Sequence, residues 1–402
     1  MIVLVINAGS SSLKYQLFNM DSGEVLAKGL CERIGTAGNI THTKSGAEPY
    51  KQDAPMENHE DALALVLKLL VDPEHGVIKG IDEIDAVGHR IAHGGERYKR
   101  STVIDDEVID YLQSIVKLNP LHGPPAIMGM EACRRLMKET LQVGVFDTSF
   151  YSDIKDFRYI YPLPYSLYED KKIRRYGFHG TSHRYVSAKA AEMLGKPLSE
   201  LKIVTCHLGN GSSITAVDKG TAVDTSMGFT PQEGILMGTR SGSIDPTIIP
   251  YLMNEEGMTA EQVENLLNRE SGLLGVSGIS NDSRNVSAAA EEGNYRAQLA
   301  INILVHGIKK HIGSYIAVMN GIDALVFTAG IGENDATLRH RVCENMDFFG
   351  VTIDESINAS VPHGSAADIS AADAPVKTLV IPTNEEYMIA LDTKKLAQDN
   401  NA

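Results

Sequence analysis

Two glycine- and serine-rich turns are the stretches of this chain best suited to chemistry. Val3–Ile6 is apolar and mostly β-branched, which predicts a buried strand. It ends on Asn7, and Ala8-Gly9-Ser10-Ser11-Ser12 turns the chain into an alternating strand that carries Lys14. A tight loop dense in N–H and hydroxyl donors, with a lysine just beyond it, is a cradle for a polyanion. An ordinary serine-rich hairpin has the same composition, so one copy decides nothing. The chain repeats the pattern, however. Lys202 to Cys206 runs into His207-Leu208-Gly209-Asn210-Gly211-Ser212-Ser213, and a second strand leaves the turn. With Gly9-Ser10-Ser11 aligned on Gly211-Ser212-Ser213, the copies lie about half a chain apart, a spacing that suits two duplicated lobes and not a solenoid. A third loop, Gly330-Ile331-Gly332-Glu333-Asn334, opens at the end of an apolar strand and leads into a helix. Three such loops on two related lobes predict a nucleotide held in the cleft between them.

Other side chains stand where they can serve such a site. Arg90 follows a strand and precedes Gly94-Gly95; from there a guanidinium fork can grip carboxylate or phosphate, although a surface ion pair is the commoner fate of an arginine. Arg240, in Gly238-Thr239-Arg240-Ser241-Gly242, is a second clamp of the same kind. Asp147 ends the strand 141–146, a usual magnesium and phosphate position in open α/β sheets, and no helix pattern starts there to make it a simple cap. His179, between Phe178 and Gly180, can point into a cleft; His89, His93 and His183 read as structural hydrogen-bonding groups.

The elements that must position these groups alternate between strand and helix patterns. Asn58 caps a helix that faces inward through Leu63, Val66, Leu67 and Leu70. A helix from Asp105 to Leu118 turns Val108, Leu112, Ile115 and Val116 inward, and Asn119 to Pro125 breaks it as a rigid loop that can wall a pocket. Tyr151 to Tyr168 is an irregular crossing between lobes. Ser182 caps a helix to Leu194, Asp245 with Pro246 starts another, and Thr259 with Gln262 forms a capping box. Tyr295 to Met319 is a long helix with Leu299, Ile303, Ile308, Ile312 and Ile316 on its apolar face, and Lys309-Lys310-His311 a solvated stretch.

Composition limits the function. The chain has 402 residues, enough for two domains, and a net charge of −15 argues against nucleic acid or an anionic membrane as partner. Four scattered cysteines without a Cys-x-x-Cys pair predict reduced thiols, no zinc site and a cytoplasmic location. No Gly-x-x-x-x-Gly-Lys-Ser/Thr sequence occurs, which excludes a P-loop kinase, and the Gly330 turn lacks the third glycine of a dinucleotide fingerprint.

VINAGSSSLK, HLGNGSS, FTAGIGEN and IPTNEE, in this order from Ile2 to about Leu396, resemble the acetokinase (acetate kinase) family of the actin, sugar-kinase and Hsp70 superfamily. The resemblance implies an α/β fold of two duplicated, ribonuclease H-like lobes, residues 1–148 completed by 386–402, and 149–385. It implies reversible phosphorylation of acetate by ATP with magnesium (manganese as a substitute), giving acetyl phosphate and ADP, and a homodimer. Asp147, His179, Arg90 and Arg240 would be catalytic. Lys14, Ser10, Ser12, His207 to Gly211, Asp282-Ser283-Arg284 (on its own only a polar loop) and Gly330 to Asn334 would cradle the nucleotide. Asn7 and Glu385 would lie at the metal. Arg90, Ala92, Leu121 and Pro231 would hold acetate; at Ala92 the family usually has valine, and the smaller residue leaves room for propionate. A propionate or butyrate kinase is the nearest alternative, an actin- or Hsp70-like binding protein a remoter one.

Overall fold

The structure, a computed structural model, describes residues 1–400 in two compact units: Met1–Ser152 together with the chain from Asn384 onward, and Asp153–Thr383. Glu385 therefore stands with the first unit.

The first unit is built on an eight-stranded sheet. Its strands are β1 (Ile2–Ala8), β2 (Ser12–Asn19), β3 (Glu24–Glu32), β4 (Asn39–Lys44), β5 (Tyr50–Asp53), β6 (Ala86–Ile91), β7 (Thr102–Val103) and β8 (Leu141–Phe146). They lie in the order β5-β4-β3-β2-β1-β6-β8-β7. β1 is apolar from Ile2 to Ile6 because both of its faces are covered there. Leu4 and Ile6 meet Leu63 and Val66 of the helix His59–Leu70, while Val3 and Val5 join Ile389 and Ala390 of the terminal helix Glu385–Asn400. Each of the Val, Leu and Ile side chains among them contributes about 1.5–3 kcal/mol by leaving water. The terminal helix approaches β6 so closely that a Cβ on Gly88 would come within 2.4 Å of Thr393 Oγ1 and 2.7 Å of Ile389 Cγ2. That contact fixes the start of the helix, and with it Glu385, beside the outgoing end of β6.

The second unit has six strands: β9 (Lys202–Leu208), β10 (Ser212–Asp218), β11 (Thr221–Thr225), β12 (Ala324–Thr328), β13 (Ala367–Asp368) and β14 (Lys377–Val380). Their order is β11-β10-β9-β12-β14-β13. One face packs on the helix Tyr295–Met319 through Val204, Cys206, Leu325 and Phe327. The other face, against the helix Gly180–Leu194, is polar at Thr205, His207 and Ser213.

The two sheets share one plan. β3-β2-β1-β6-β8 and β11-β10-β9-β12-β14 each comprise an antiparallel three-strand meander followed by two strands parallel to its first member. This is the duplicated plan expected of the actin and sugar-kinase class. The strand ends also correct the alignment of the turns. β1 ends at Ala8 and β9 at Leu208, so Gly209 stands where Gly9 does, but the second turn is one residue shorter, so that on the outgoing strands Ser213 stands where Lys14 does. Small polar residues recur at several offsets, whereas the pairings Asn7↔Lys14 and His207↔Ser213 fix the register.

Several local expectations are also corrected. The helix Gly180–Leu194 starts at His179, and Ser182 lies buried within it. Residues 119–125 are not a loop throughout, because Pro124 and Pro125 occupy the first turn of the helix Gly123–Leu136. Asp147 opens a 3₁₀ turn, Asp147–Tyr151. The helix expected at Asp245 begins at Ile248, and Asp245 instead accepts from the backbone N–H and hydroxyl of Thr247. In the helix Tyr295–Met319, Leu299 and Ile303 are exposed, while Ile308, Ile312 and Ile316 are buried. Of Lys309-Lys310-His311 only Lys310 is fully exposed; Lys309 donates to the Glu344 carbonyl and His311 is half-buried.

Candidate functional site

In the first unit the outgoing ends of β1, β6 and β8 carry Asn7, Arg90 and Asp147. Arg90 lies inside β6 and not after it, and its guanidinium is ordered by two carboxylates. Nε and Nη2 donate to Asp147 Oδ2 at 3.2 and 2.9 Å, and Nη1 lies 3.1 Å from Glu385 Oε2. Asp147 is buried and Glu385 nearly so. Burial works against the Arg90 charge, but the two carboxylates outweigh it and hold its pKa above the ordinary value. Glu385 is pushed up to about 7 by burial, with Asp147 and Glu386 adding to the effect and Arg90 and Lys14 opposing it. Two carboxylates thus share the Arg90 guanidinium.

The adjoining turn is fastened from outside. Gly9 N donates to Ser12 O at 2.8 Å, and His59 Nε2 bonds Gly9 O at 2.7 Å. Ser10 and Lys14 are exposed and Ser12 half-buried. Ala92 is half-buried two residues after Arg90, and Leu121 is 57% exposed.

In the second unit His179 holds a left-handed backbone, φ 56°, which is costly for a residue with a side chain and persists only where its surroundings over-determine it. Here Nδ1 bonds Ser213 Oγ at 2.9 Å, and the ring stacks on His207 with centroids 4.2 Å apart. His207 Nδ1 in turn meets Ser182 Oγ, which also reaches Thr383 Oγ1. Arg240 donates through Nη1 to the Pro231 carbonyl at 3.2 Å and approaches Met237 Sδ at 3.8 Å. Among the described residues no carboxylate pairs with it, and burial lowers its pKa. The Gly209–Gly211 turn faces both groups. A Cβ on Gly211 would stand 3.4 Å from Arg240 Nη1 and 3.6 Å from His179 Nε2.

The remaining nucleotide-loop candidates lie in the same unit. Glu333 Oε1 accepts from Thr383 N, and Asn334 caps back onto the Gly330 carbonyl. Asp282 caps the helix Ser283–Glu291 and holds the exposed Arg284 guanidinium at 2.6 Å. Beyond these two segments a groove of about 330 Å³ is lined by Ser287, Gln298, Ile301, Asn302, Asp335 and Leu338, among others.

Residues 2–391 match the acetokinase family. The chain belongs to the acetokinase family. This acetokinase is 56% identical over 400 residues to the acetate kinase of Caldanaerobacter subterraneus subsp. tengcongensis, covering 99% of each chain. It superposes on the crystal structure of Porphyromonas gingivalis acetate kinase with a TM-score of 0.94 at 45% identity, over 98% of this chain and 99% of that one. A propionate kinase from Francisella tularensis subsp. tularensis gives a TM-score of 0.91 at 38% identity, again over 98% and 99%.

Sequence reading of this acetokinase missed several supporting groups. Ser213 backs His179, and His59 pins the first turn; His183, read as a structural hydrogen-bonding group, bonds Ser213 in turn. Arg339, 2% exposed, donates to the Gly332 and Glu333 carbonyls and to Asn358, tying down the third loop. An arginine inside a helical run reads as a surface residue, so no signal pointed to it. Phe178 joins Met227 and Met237 in a small apolar cluster.

Proposed function

We infer that this chain transfers the γ-phosphoryl group of ATP to the carboxylate of acetate, reversibly, forming acetyl phosphate and ADP. The observation that carries the reading is agreement with an acetate kinase across 99% of both chains. In the transfer an acetate oxygen bonds to the γ-phosphorus while the bond to the β-phosphate oxygen breaks, and the electron pair leaves with ADP. Acetate is already an anion at neutral pH, since carboxyl groups titrate near ~4, so no base is required. The demand on the protein is to hold two anions together and stabilise charge on the moving group.

The residues suit that demand. Arg90 and Arg240 are the anion clamps, Arg240 because its desolvated charge has no carboxylate of its own. His179 donates to an equatorial phosphoryl oxygen. Lys14, Ser10, Ser12, the 207–211 turn and the Gly330–Asn334 loop carry the phosphates, with the adenosine half along Asp282–Arg284 and the adjoining groove. Asp147 and Glu385 with Asn7 are hard oxygen donors, which fits magnesium. Few protein ligands suffice for an ion that keeps several waters and phosphate oxygens. When bound, magnesium screens the β- and γ-phosphates. Asp147 orients the transferring group and does not move a proton.

A cytoplasmic homodimer completes the proposal. Its location is supported by four buried free cysteines and by the lack, among the described residues, of a helix long and apolar enough to cross a membrane. Propionate as an additional acceptor is favoured by the small side chain at Ala92. The test is ADP release over a series of short carboxylates: acetate must be used with propionate close behind, and turnover indifferent to the carboxylate would refute the reading.

A further inference from the structure

We propose that Ser213 and His183 are positioning residues that keep the proton of His179 on Nδ1, so that His179 meets the phosphoryl oxygens as an imidazolium. The second half of this statement rests on the phosphotransfer reading above; the first half does not. Ser213 Oγ lies 2.9 Å from His179 Nδ1 and 2.7 Å from His183 Nε2, and His183 Nδ1 lies 2.6 Å from Thr205 Oγ1. Ser213, His183 and Thr205 are completely buried.

A hydroxyl carries one proton, so Ser213 cannot donate to both imidazoles. Proton positions along the chain are then assigned by counting bonds. Thr205 Oγ1 has a further acceptor, the Thr215 carbonyl at 3.4 Å. With Thr205 donating there, His183 donates from Nδ1, Ser213 donates to His183 Nε2, and His179 must donate from Nδ1 to Ser213. The reverse polarity makes one bond fewer, because Thr205 then turns away from Thr215. His183 takes part as the neutral ring, since burial holds its pKa well below the ordinary value and the neighbouring His207 acts in the same direction. Once Nδ1 is protonated, Nε2 can donate only if the ring gains a second proton. Nε2 is on the edge of His179 that faces Gly211 and Arg240.

Among the groups that bear on His179 are His183 on its own helix, His207 stacked on its ring from β9, and Arg240 across the Gly211 turn. Arg240 opposes a second positive charge, while the Ser213 acceptor and an incoming phosphate favour it. The proton remains on His179 through the transfer, which consumes and releases none.

The test uses the full chain labelled with ¹⁵N-histidine, its His179 signals assigned by comparison with His179→Asn. At pH 9, without substrates, the expected neutral ring carries its proton on Nδ1; a proton on Nε2 overturns the proposal whatever the enzyme's substrate. In turnover, Ser213→Ala is expected to lower kcat roughly 10-fold at neutral pH and move the alkaline limb of the kcat profile down by about one pH unit, with Ser213→Thr restoring both. An equal loss at every pH would make Ser213 merely structural. Should Ser213→Ala not fold, the wild-type spectrum decides alone.

Discussion

Gly211→Ala tests the proposed anion site of the second unit with one methyl group. Gly211 is not among the positive-φ glycines, so alanine suits its backbone. The new Cβ would lie 3.4 Å from Arg240 Nη1 and 3.5 and 3.6 Å from His179 Cε1 and Nε2, ordinary contacts for the protein by itself. An oxygen bonded by both groups needs about 2.9 Å to each, in the space which that methyl enters. The overpacking, about 1–3 kcal/mol, then falls on the ligand-bound state alone. The expected result is a loss of roughly 5- to 150-fold in kcat/KM, with stability changed by less than about 0.5 kcal/mol. Coupled ADP release and urea unfolding measure the two quantities. Gly313→Ala, where no atom lies within 4 Å of the added Cβ, is the control: stability should rise by up to ~1 kcal/mol with turnover unchanged. A folded Gly211→Ala enzyme with wild-type kcat/KM would show that no substrate oxygen uses this space.

Three further outcomes are expected. Arg240→Met should lower kcat by on the order of 10²- to 10³-fold while leaving the urea midpoint unchanged or higher, since a desolvated charge without a carboxylate partner is removed; wild-type turnover, or marked destabilisation, would contradict this. His89, bonded to Gln142, has its pKa lowered to about 4 by burial, so the unfolded chain binds its proton first. Its contribution is complete above pH ~6.5 and is lost as pH falls towards 4, up to about 3 kcal/mol, and urea titrations of wild type and His89→Gln should diverge over that window. Ala92→Val should raise the acetate-to-propionate ratio of kcat/KM roughly 10-fold, mainly through propionate, and an unchanged ratio would place the acyl wall elsewhere.

The fold was legible because its signals are local and repeated. Val3–Ile6 is apolar on both faces, the 203–206 run is apolar but for Thr205, and each leads to a turn rich in small residues. Arg90 and Arg240, the proposed clamps, were singled out by their glycine-rich settings. What stayed hidden depends on pairing across the chain. The misalignment of the turns came from repeated Gly and Ser, which only strand register resolves. Ser182 looks like a cap because serine favours helix starts, yet it lies inside the helix and bonds His207. The Arg90–Asp147–Glu385 cluster joins residues from three distant segments, and Glu385 reaches it only because Gly88 lets the terminal helix approach β6. Arg339 sits in an unremarkable helical stretch, and its partners at Gly332 and Asn358 come together through the fold alone.

The central claim is direct transfer of phosphoryl to a carboxylate oxygen. ³¹P NMR of the reaction with ATP and [¹⁸O₂]acetate tests it most directly. The account predicts acetyl phosphate and ADP in equal amounts, with the phosphorus of acetyl phosphate bearing one ¹⁸O. Acetyl phosphate without an isotope shift, or ADP and inorganic phosphate formed at a rate indifferent to acetate, would contradict it.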